Sequence, residues 1–286
     1  MTRPRLLEVS ICDGPLSVDS LTHWRLIDTG CQDGYTNMAI DEAIFLSFLE
    51  NRSCPVLRVY GWDPPTLSLG RFQKVHEELD LARCREDHVP FVRRMTGGGV
   101  IFHDRELTYS LVCSREHLGG RTSVMDSYKG ACSFLMETYG RLDLKPRFAL
   151  TDERHPRSKW FCFVEREKYD ILIEGKKLGG NAQRTVKGVV LQHGSIPLAS
   201  CLDRGVALLS HRPQNLGAVG ALEDILGREI SFGELRRLVV NSFDDAFSAR
   251  LSEDSLTPVE QDLAEKLRQD KYSTKEWNLY RHARDD

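Results

Sequence analysis

The stretch Cys162–Leu198 constrains this chain most. It supplies a thiol at Cys162, a strand-like run at Tyr169–Ile173 and a turn at Glu174-Gly175. Two lysines (Lys176, Lys177), a Gly179-Gly180-Asn181 bend and a second strand-like run ending in Gln192-His193-Gly194-Ser195 follow. Strand-like and helical patterns also mix elsewhere along the chain without a strict βαβ rhythm. The expected class is therefore α/β (α+β) rather than a doubly wound sheet.

Residues 1–21 read as an N-terminal arm, and the domain begins with a strand at Trp24–Asp28. Thr36 or Asn37 is positioned to cap a helix through Met38, Ile40, Ala43, Ile44 and Leu46, with Asp41 and Glu42 near its start. Val56–Tyr60 and Thr66–Leu69 read as strands around the stiff turn Gly61–Pro65. Leu107, Tyr109, Leu111 and Cys113 alternate as a half-buried strand, and Val124–Tyr139 recurs at helical spacing. The run 145–160 reads as a loop, Leu216–Leu226 and Phe232–Phe247 as helices, and Ser252–Ser255 as a polar linker. Thr257-Pro258-Val259-Glu260 then fits a capping box opening a helix over Val259–Gln269. The expected division is an arm (1–21), a catalytic domain (22–250) and a C-terminal helical segment (251–286).

At 286 residues the chain is long enough to bury a sizeable core. Its net charge of −3 gives no reason to expect nucleic acid. It contains no apolar run of about 18 residues to span a membrane. The first residues lack the apolar core of a secretion signal, so the cytoplasm is the expected compartment. The eight cysteines are too scattered for a CxxC pair, which argues against a zinc site, and no metal is expected.

Three features carry chemistry. Gly97-Gly98-Gly99 lies between strand-like runs and lets backbone approach a ligand closely, with Arg93 and Arg94 just upstream as candidate anion holders. The bland alternative is a glycine-rich hairpin with solvated arginines. Cys162 and Lys177 flank one strand-like run, and an ammonium near a thiol favours the nucleophilic thiolate. Such a thiol suits acyl transfer through a thioester. A buried structural cysteine and a solvated lysine pair are the alternative. His193 is either a general base for an incoming amine or a structural hydrogen bonder at a strand end. No other Ser/His/Asp set is apparent. From Arg154 to Lys187, nine basic residues face four acidic ones, a rim suited to an acidic partner or simply a solvated face.

The segments RRMTGGGVIFHDRELTYS (93–110), GKKLGGNAQR (175–184) and LQHGSIPL (191–198) resemble the lipoate/octanoate attachment enzymes. These form the lipoyltransferase branch of the biotin/lipoate protein ligase superfamily. WRLIDTG (24–30), NMAIDEA (37–43) and KYSTKEWNLYR (271–281) are similar to the same family. The resemblance implies a ligase-like catalytic domain, a central mixed β-sheet flanked by helices. It also implies an octanoyltransferase, with Cys162-Phe163, Tyr169-Asp170 and Lys177 laid out as in that branch. Octanoate would pass from octanoyl-acyl carrier protein to Cys162, then to a lysine of a lipoyl-accepting protein. That acceptor would be a glycine cleavage H-like protein or a 2-oxoacid dehydrogenase lipoyl domain. Lys177 would lower the Cys162 pKa. Arg94, Gly97, Gly98, Gly99, His103, Gly179, Gly180, Asn181 and His193 would surround the substrate. No cofactor is implied for a monomeric transferase. The triple glycine is typical of the ATP-dependent lipoate ligases, so ATP and magnesium belong to that alternative. A non-catalytic binder of lipoyl-domain proteins is the second.

Overall fold

The computed structural model describes residues 23–51, 53–120, 123–149, 170–213 and 216–281. Its strands are β1 (His23–Gln32), β2 (Val56–Trp62), β3 (Thr66–Leu69), β4 (Phe91–Arg93), β5 (Ile101–His103), β6 (Glu106–Ser114), β7 (Arg147–Phe148), β8 (Ile171–Ile173), β9 (Lys176–Leu178), β10 (Gly180–Val186), β11 (Val189–Pro197), β12 (Val219–Gly220) and β13 (Arg250–Asp254). The central sheet runs β10-β11-β6-β2-β1-β13. It is mixed: β1 pairs parallel with β2 and β13, while β2, β6, β11 and β10 are joined antiparallel. Two smaller sheets, β12-β9-β8-β7 and β4-β3-β5, complete the described strands. Helices flank the central sheet, so the expected α/β architecture is the observed one.

The period of two along a strand sorts the central sheet into two chemically different faces. On one, Leu57, Val59, Leu107, Tyr109, Leu111 and Cys113 join Phe134 and Phe243 in an apolar core. The helices Ser133–Gly140 and Phe232–Phe247 cover this face. On the other, Val56, Val112 and Leu191 pack under Ile40, Ala43 and Ile44 of the helix Gly34–Leu49. Further along that face the residues become polar. Arg58 sits opposite Ser110, Tyr60 and Ser195 sit opposite Thr108, and His193 sits opposite Ser110. β6 is therefore buried on both faces rather than half-buried.

Several local expectations change in three dimensions. Asp33, not Thr36 or Asn37, caps the first helix, its carboxylate accepting from the amides of Tyr35 and Thr36. Asp41 and Glu42 are buried within that helix instead of complementing its dipole at an exposed end. Val124–Tyr139 breaks into two helices, Val124–Ala131 and Ser133–Gly140. Leu216–Leu226 is a short 3₁₀ turn, strand β12 and the helix Leu222–Leu226. Arg147–Phe148, inside the expected loop, forms β7. The supposed linker Ser252–Ser255 lies largely within β13, paired residue for residue with β1. The Thr257/Glu260 capping box forms as expected and starts the helix Pro258–Leu267. Among the described residues, no helix is long and apolar enough to cross a membrane.

Candidate active site

The polar end of the inner sheet face becomes the floor of a cleft of about 280 Å³. Tyr60 and Trp62 from β2, Thr108 from β6, Gly180 and Ala182 from β10, and His193 and Ser195 from β11 form that floor. All lie on one face because β2, β6, β11 and β10 are in antiparallel register. Met38 enters from the helix Gly34–Leu49, and Arg94, Ile101 and His103 close the cleft from the β4-β3-β5 side. The mix of apolar walls with a few fixed polar groups is the usual make-up of a small-molecule site. A larger hollow of about 440 Å³ lies by Phe102, Pro197 and Cys201, but neither histidine lines it.

Each cleft histidine is held in a buried chain of hydrogen bonds. His193 Nδ1 lies 3.2 Å from Asp41 Oδ2, and its Nε2 lies 2.7 Å from Thr96 Oγ1. A carboxylate has no proton to give, so Nδ1–H donates to Asp41 and the Thr96 hydroxyl donates to Nε2. Behind Asp41 stand Arg58 Nη1 at 2.6 Å, Ser110 Oγ at 2.8 Å and Tyr60 OH at 2.9 Å, all donating. Burial alone would raise the Asp41 carboxyl. The Arg58 guanidinium and the hydrogen bonds from His193 and Ser110 outweigh it and hold Asp41 below the usual carboxylate range. Burial lowers the His193 pKa despite the facing Asp41, so the ring is neutral.

On the other side, His103 Nδ1 donates to Glu106 Oε1 at 2.7 Å, and Ser68 Oγ donates to His103 Nε2 at 2.6 Å. The Trp62 ring stacks on His103 with centroids 3.9 Å apart, and its Nε1 donates to Thr108 Oγ1 at 2.7 Å. Thr108 and Ser195 both donate to Glu106. The structure thus contains two hydroxyl–histidine–carboxylate chains where the sequence showed none. Their members come from residues up to 152 apart, a separation no motif spacing encodes.

The two arginines before the triple glycine are committed to the fold. Arg93 donates to the carbonyls of Gly70, Arg71, Gln73, Trp277 and Asn278. Arg94 donates to Ser68 O and Oγ and to the carbonyls of Gly97 and Gly99, folding the loop around its guanidinium. Gly98 takes φ +93°, and its carbonyl passes so near Gly70 that a Cβ there would sit 1.8 Å away. Gly179 is equally constrained, with φ +78° and Ser195 O 1.9 Å from its would-be Cβ. Only glycine fits either place.

The other sequence candidates divide. Arg94, His103, Gly180 and His193 line the cleft, and Gly97–Gly99 form the adjoining loop. Asn181 does not join them. Its side chain points to the opposite sheet face, where Oδ1 accepts from Tyr109 OH at 2.8 Å. Lys177 lies on β9, in the smaller sheet, and its Nζ donates to Asp170 Oδ2 at 2.8 Å with both groups buried. Cys162 lies outside the described residues. Sequence reasoning missed Asp41, Arg58, Ser68 and Glu106 as site residues, and named Asp170 only within the layout shared with the family. The one available signal was a charged residue set among apolar positions, as at Asp41 between Ile40 and Ala43. Among the described residues, no group of three or more His, Cys, Asp or Glu is placed to hold a metal ion.

Comparison with known proteins adds a family to this geometry. Residues 33–244 match the lipoyl protein ligase A/B catalytic domain. The chain is 34% identical to an octanoyltransferase LipM of Halalkalibacterium halodurans, over 90% of this chain and 98% of that one. It is 37% identical to an octanoyltransferase LipM of Kyrpidia tusciae, over 89% and 98% respectively. Among solved structures, a lipoate-protein ligase A bound with ATP superposes with a TM-score of 0.78 at 28% identity, covering 91% of this chain and 99% of the other. A bipartite lipoate protein ligase from Thermoplasma acidophilum gives 0.77 at 26% identity, covering 92% and 99%. The matched domain spans most of the sheet and both histidine chains, and the relatives are covered nearly end to end. This chain belongs to the lipoyl protein ligase A/B catalytic domain family.

Proposed function

We propose that the chain is an octanoyltransferase. It takes an octanoyl group from octanoyl-acyl carrier protein as a thioester on Cys162 and passes it to the ε-amine of a lysine on a lipoyl-accepting protein. The observation that carries this reading is its identity of 34–37% with octanoyltransferases over about nine-tenths of its length. The cleft suits such a substrate. Met38, Tyr60, Trp62, Ile101 and Ala182 offer apolar wall to an alkyl chain. Four described cysteines make poor rivals for Cys162. Burial pushes Cys84 and Cys201 up to about 11 and Cys132 to about 12, and raises Cys113 further still. Thiols that stay protonated at neutral pH are weak nucleophiles. In this mechanism Lys177 is the cation that favours the Cys162 thiolate, and the enzyme works as a cytoplasmic monomer without ATP.

The test is the intact mass of the protein after mixing with octanoyl carrier protein and no nucleotide. A hydroxylamine-labile octanoyl adduct on Cys162, lost in Cys162→Ser, is the expected result. Undiminished transfer by Cys162→Ser would overturn the reading. One observation favours the ligase alternative, the likeness to a lipoate-protein ligase A bound with ATP. That alternative requires acceptor modification from free acid, ATP and magnesium, with Cys162 dispensable.

A further inference from the structure

Phe72 and Tyr280 are the most exposed large apolar side chains among the described residues, at 70% and 60%. One exposed ring is ordinary, but these two share a scaffold. Phe72 lies in the loop 70–74 and Tyr280 ends the helix Lys275–Tyr280, and Arg93 donates to carbonyls of both segments. The Arg71 guanidinium lies 5.7 Å above the Trp277 ring, and Arg281 Nη1 reaches Phe72 O at 3.5 Å. Both rings therefore stand on one fixed corner of the molecule.

That corner is basic in a chain whose net charge is −3. Segments 70–74 and 271–281 hold Arg71, Lys74, Lys271, Lys275 and Arg281 against a single acid, Glu276. Lys74 pairs with Glu77 and Lys271 with Glu42. Arg71, Lys275 and Arg281 have no carboxylate partner among the described residues. Their field is felt nearby. Burial and then Arg281 lower Arg93, and burial, with Arg71 and Arg184 close by, lowers Lys271 against the pull of Glu42. The corner backs onto the cleft without lining it. The Arg71 amide donates to Thr96 O at 2.8 Å, and Gly70 packs against Gly98. A Cβ at Gly98 would in turn sit 4.0 Å from that of Ala182, in the cleft wall.

We propose that this aromatic, basic corner docks the octanoyl carrier protein through an acidic face of that protein. This rests on the transferase reading above. Charge complementarity selects an acidic partner, and the two exposed rings supply apolar anchors of the kind that dominate interfaces. Reach then separates the two protein substrates. An acceptor lysine extends only about 6 Å beyond its Cα, so its protein must sit at the cleft mouth itself. A carrier protein presents its acyl group at the end of a long thiol arm. Its body is therefore free to sit one loop back, behind Gly97–Gly99.

The experiment measures kcat/KM separately for octanoyl carrier protein, for octanoyl-pantetheine and for a lipoyl-domain acceptor. Octanoyl-pantetheine has the thioester but no protein face. Phe72→Ser, and Lys275→Glu combined with Arg281→Glu, should each lower the carrier-protein value about 10-fold. The other two values should stay at wild type. Arg281→Lys, which keeps the charge, should retain all three. Added salt should lower the wild-type carrier-protein value and leave that of the charge-reversed enzyme level. A fall in the acceptor value instead would make the corner an acceptor site and overturn the proposal. Unchanged values for all three donors and acceptors would make it plain solvated surface and do the same. An equal fall in all three would report lost folding rather than lost docking, which also counts against it. Absence of any wild-type acyl-enzyme from octanoyl carrier protein would remove the transferase reading, and this proposal with it.

Discussion

Burial decides what single side chains do in this molecule. Glu78 is 8% exposed, and burial pushes its carboxyl up to about 7 from 4.5, against a hydrogen bond from Gln73. Its folded form therefore binds a proton more tightly than its unfolded form. The stability it contributes is present at low pH and lost as pH rises from about 4.5 to about 7. Glu78→Gln should flatten that slope and raise stability at pH 8 by on the order of 1–3 kcal/mol, as measured by urea unfolding. Gly194 makes the opposite point through size. A Cβ there would lie 2.0 Å from Asn181 Oδ1 and 2.6 Å from the Tyr109 ring, on a central strand that cannot move aside. Gly194→Ala should therefore displace Asn181 and destabilise by about 1–3 kcal/mol. Because β11 also carries His193 and Ser195, acyl transfer should fall more steeply than stability in the same variant.

At the scale of elements, two buried arginines tie the C-terminal segment to the rest. Arg25 on β1 donates to both oxygens of Glu260 at 2.7 and 2.9 Å, and to Asp254 at 2.6 Å. The same Glu260 accepts from the Thr257 amide at 2.8 Å, closing the capping box. One carboxylate thus starts a helix and docks it. Glu260→Ala should cost about 3 kcal/mol or more, because it leaves the Arg25 charge under-compensated. Thr257→Ala, which removes only the cap, should cost about 1 kcal/mol. Thermal melts of the two variants separate docking from capping. Arg93 acts likewise, joining the loop 70–73 to the helix Lys275–Tyr280 through five carbonyls. Burial, reinforced by Arg281, pulls Arg93 down to about 10, which leaves it charged at neutral pH. Arg93→Met should loosen the Gly70–Gly98 contact, with proteolysis near residues 70–74 as the readout.

For the whole molecule, the central sheet does not stop at residue 249. β13 pairs with β1, the helix Pro258–Leu267 contributes Ala264 to the core beside the helix Gly34–Leu49, and Trp277 donates to Arg93 O. A chain truncated after Ala249 should lose cooperative unfolding, as followed by circular dichroism, because β1 gains an open edge and two buried arginines lose their partners. The sequence by itself determined the elements whose signals are local. The Thr257 capping box, the alternation of Leu107–Cys113 and the apolar spacing of Phe232–Phe247 need only neighbours a few residues away. It also placed His103, His193 and the glycine bends near one site, through motifs that resemble a known family. Only the tertiary structure decided what those residues touch. Asp41 looked like a helix-dipole partner until β11 brought His193 to it, and Asn181 looked like a ligand contact until strand alternation turned it to Tyr109. The reason is physical: a period of two or 3.6 fixes which face a side chain takes. The partner on that face is set by strand order and register, which arise from contacts distant in sequence.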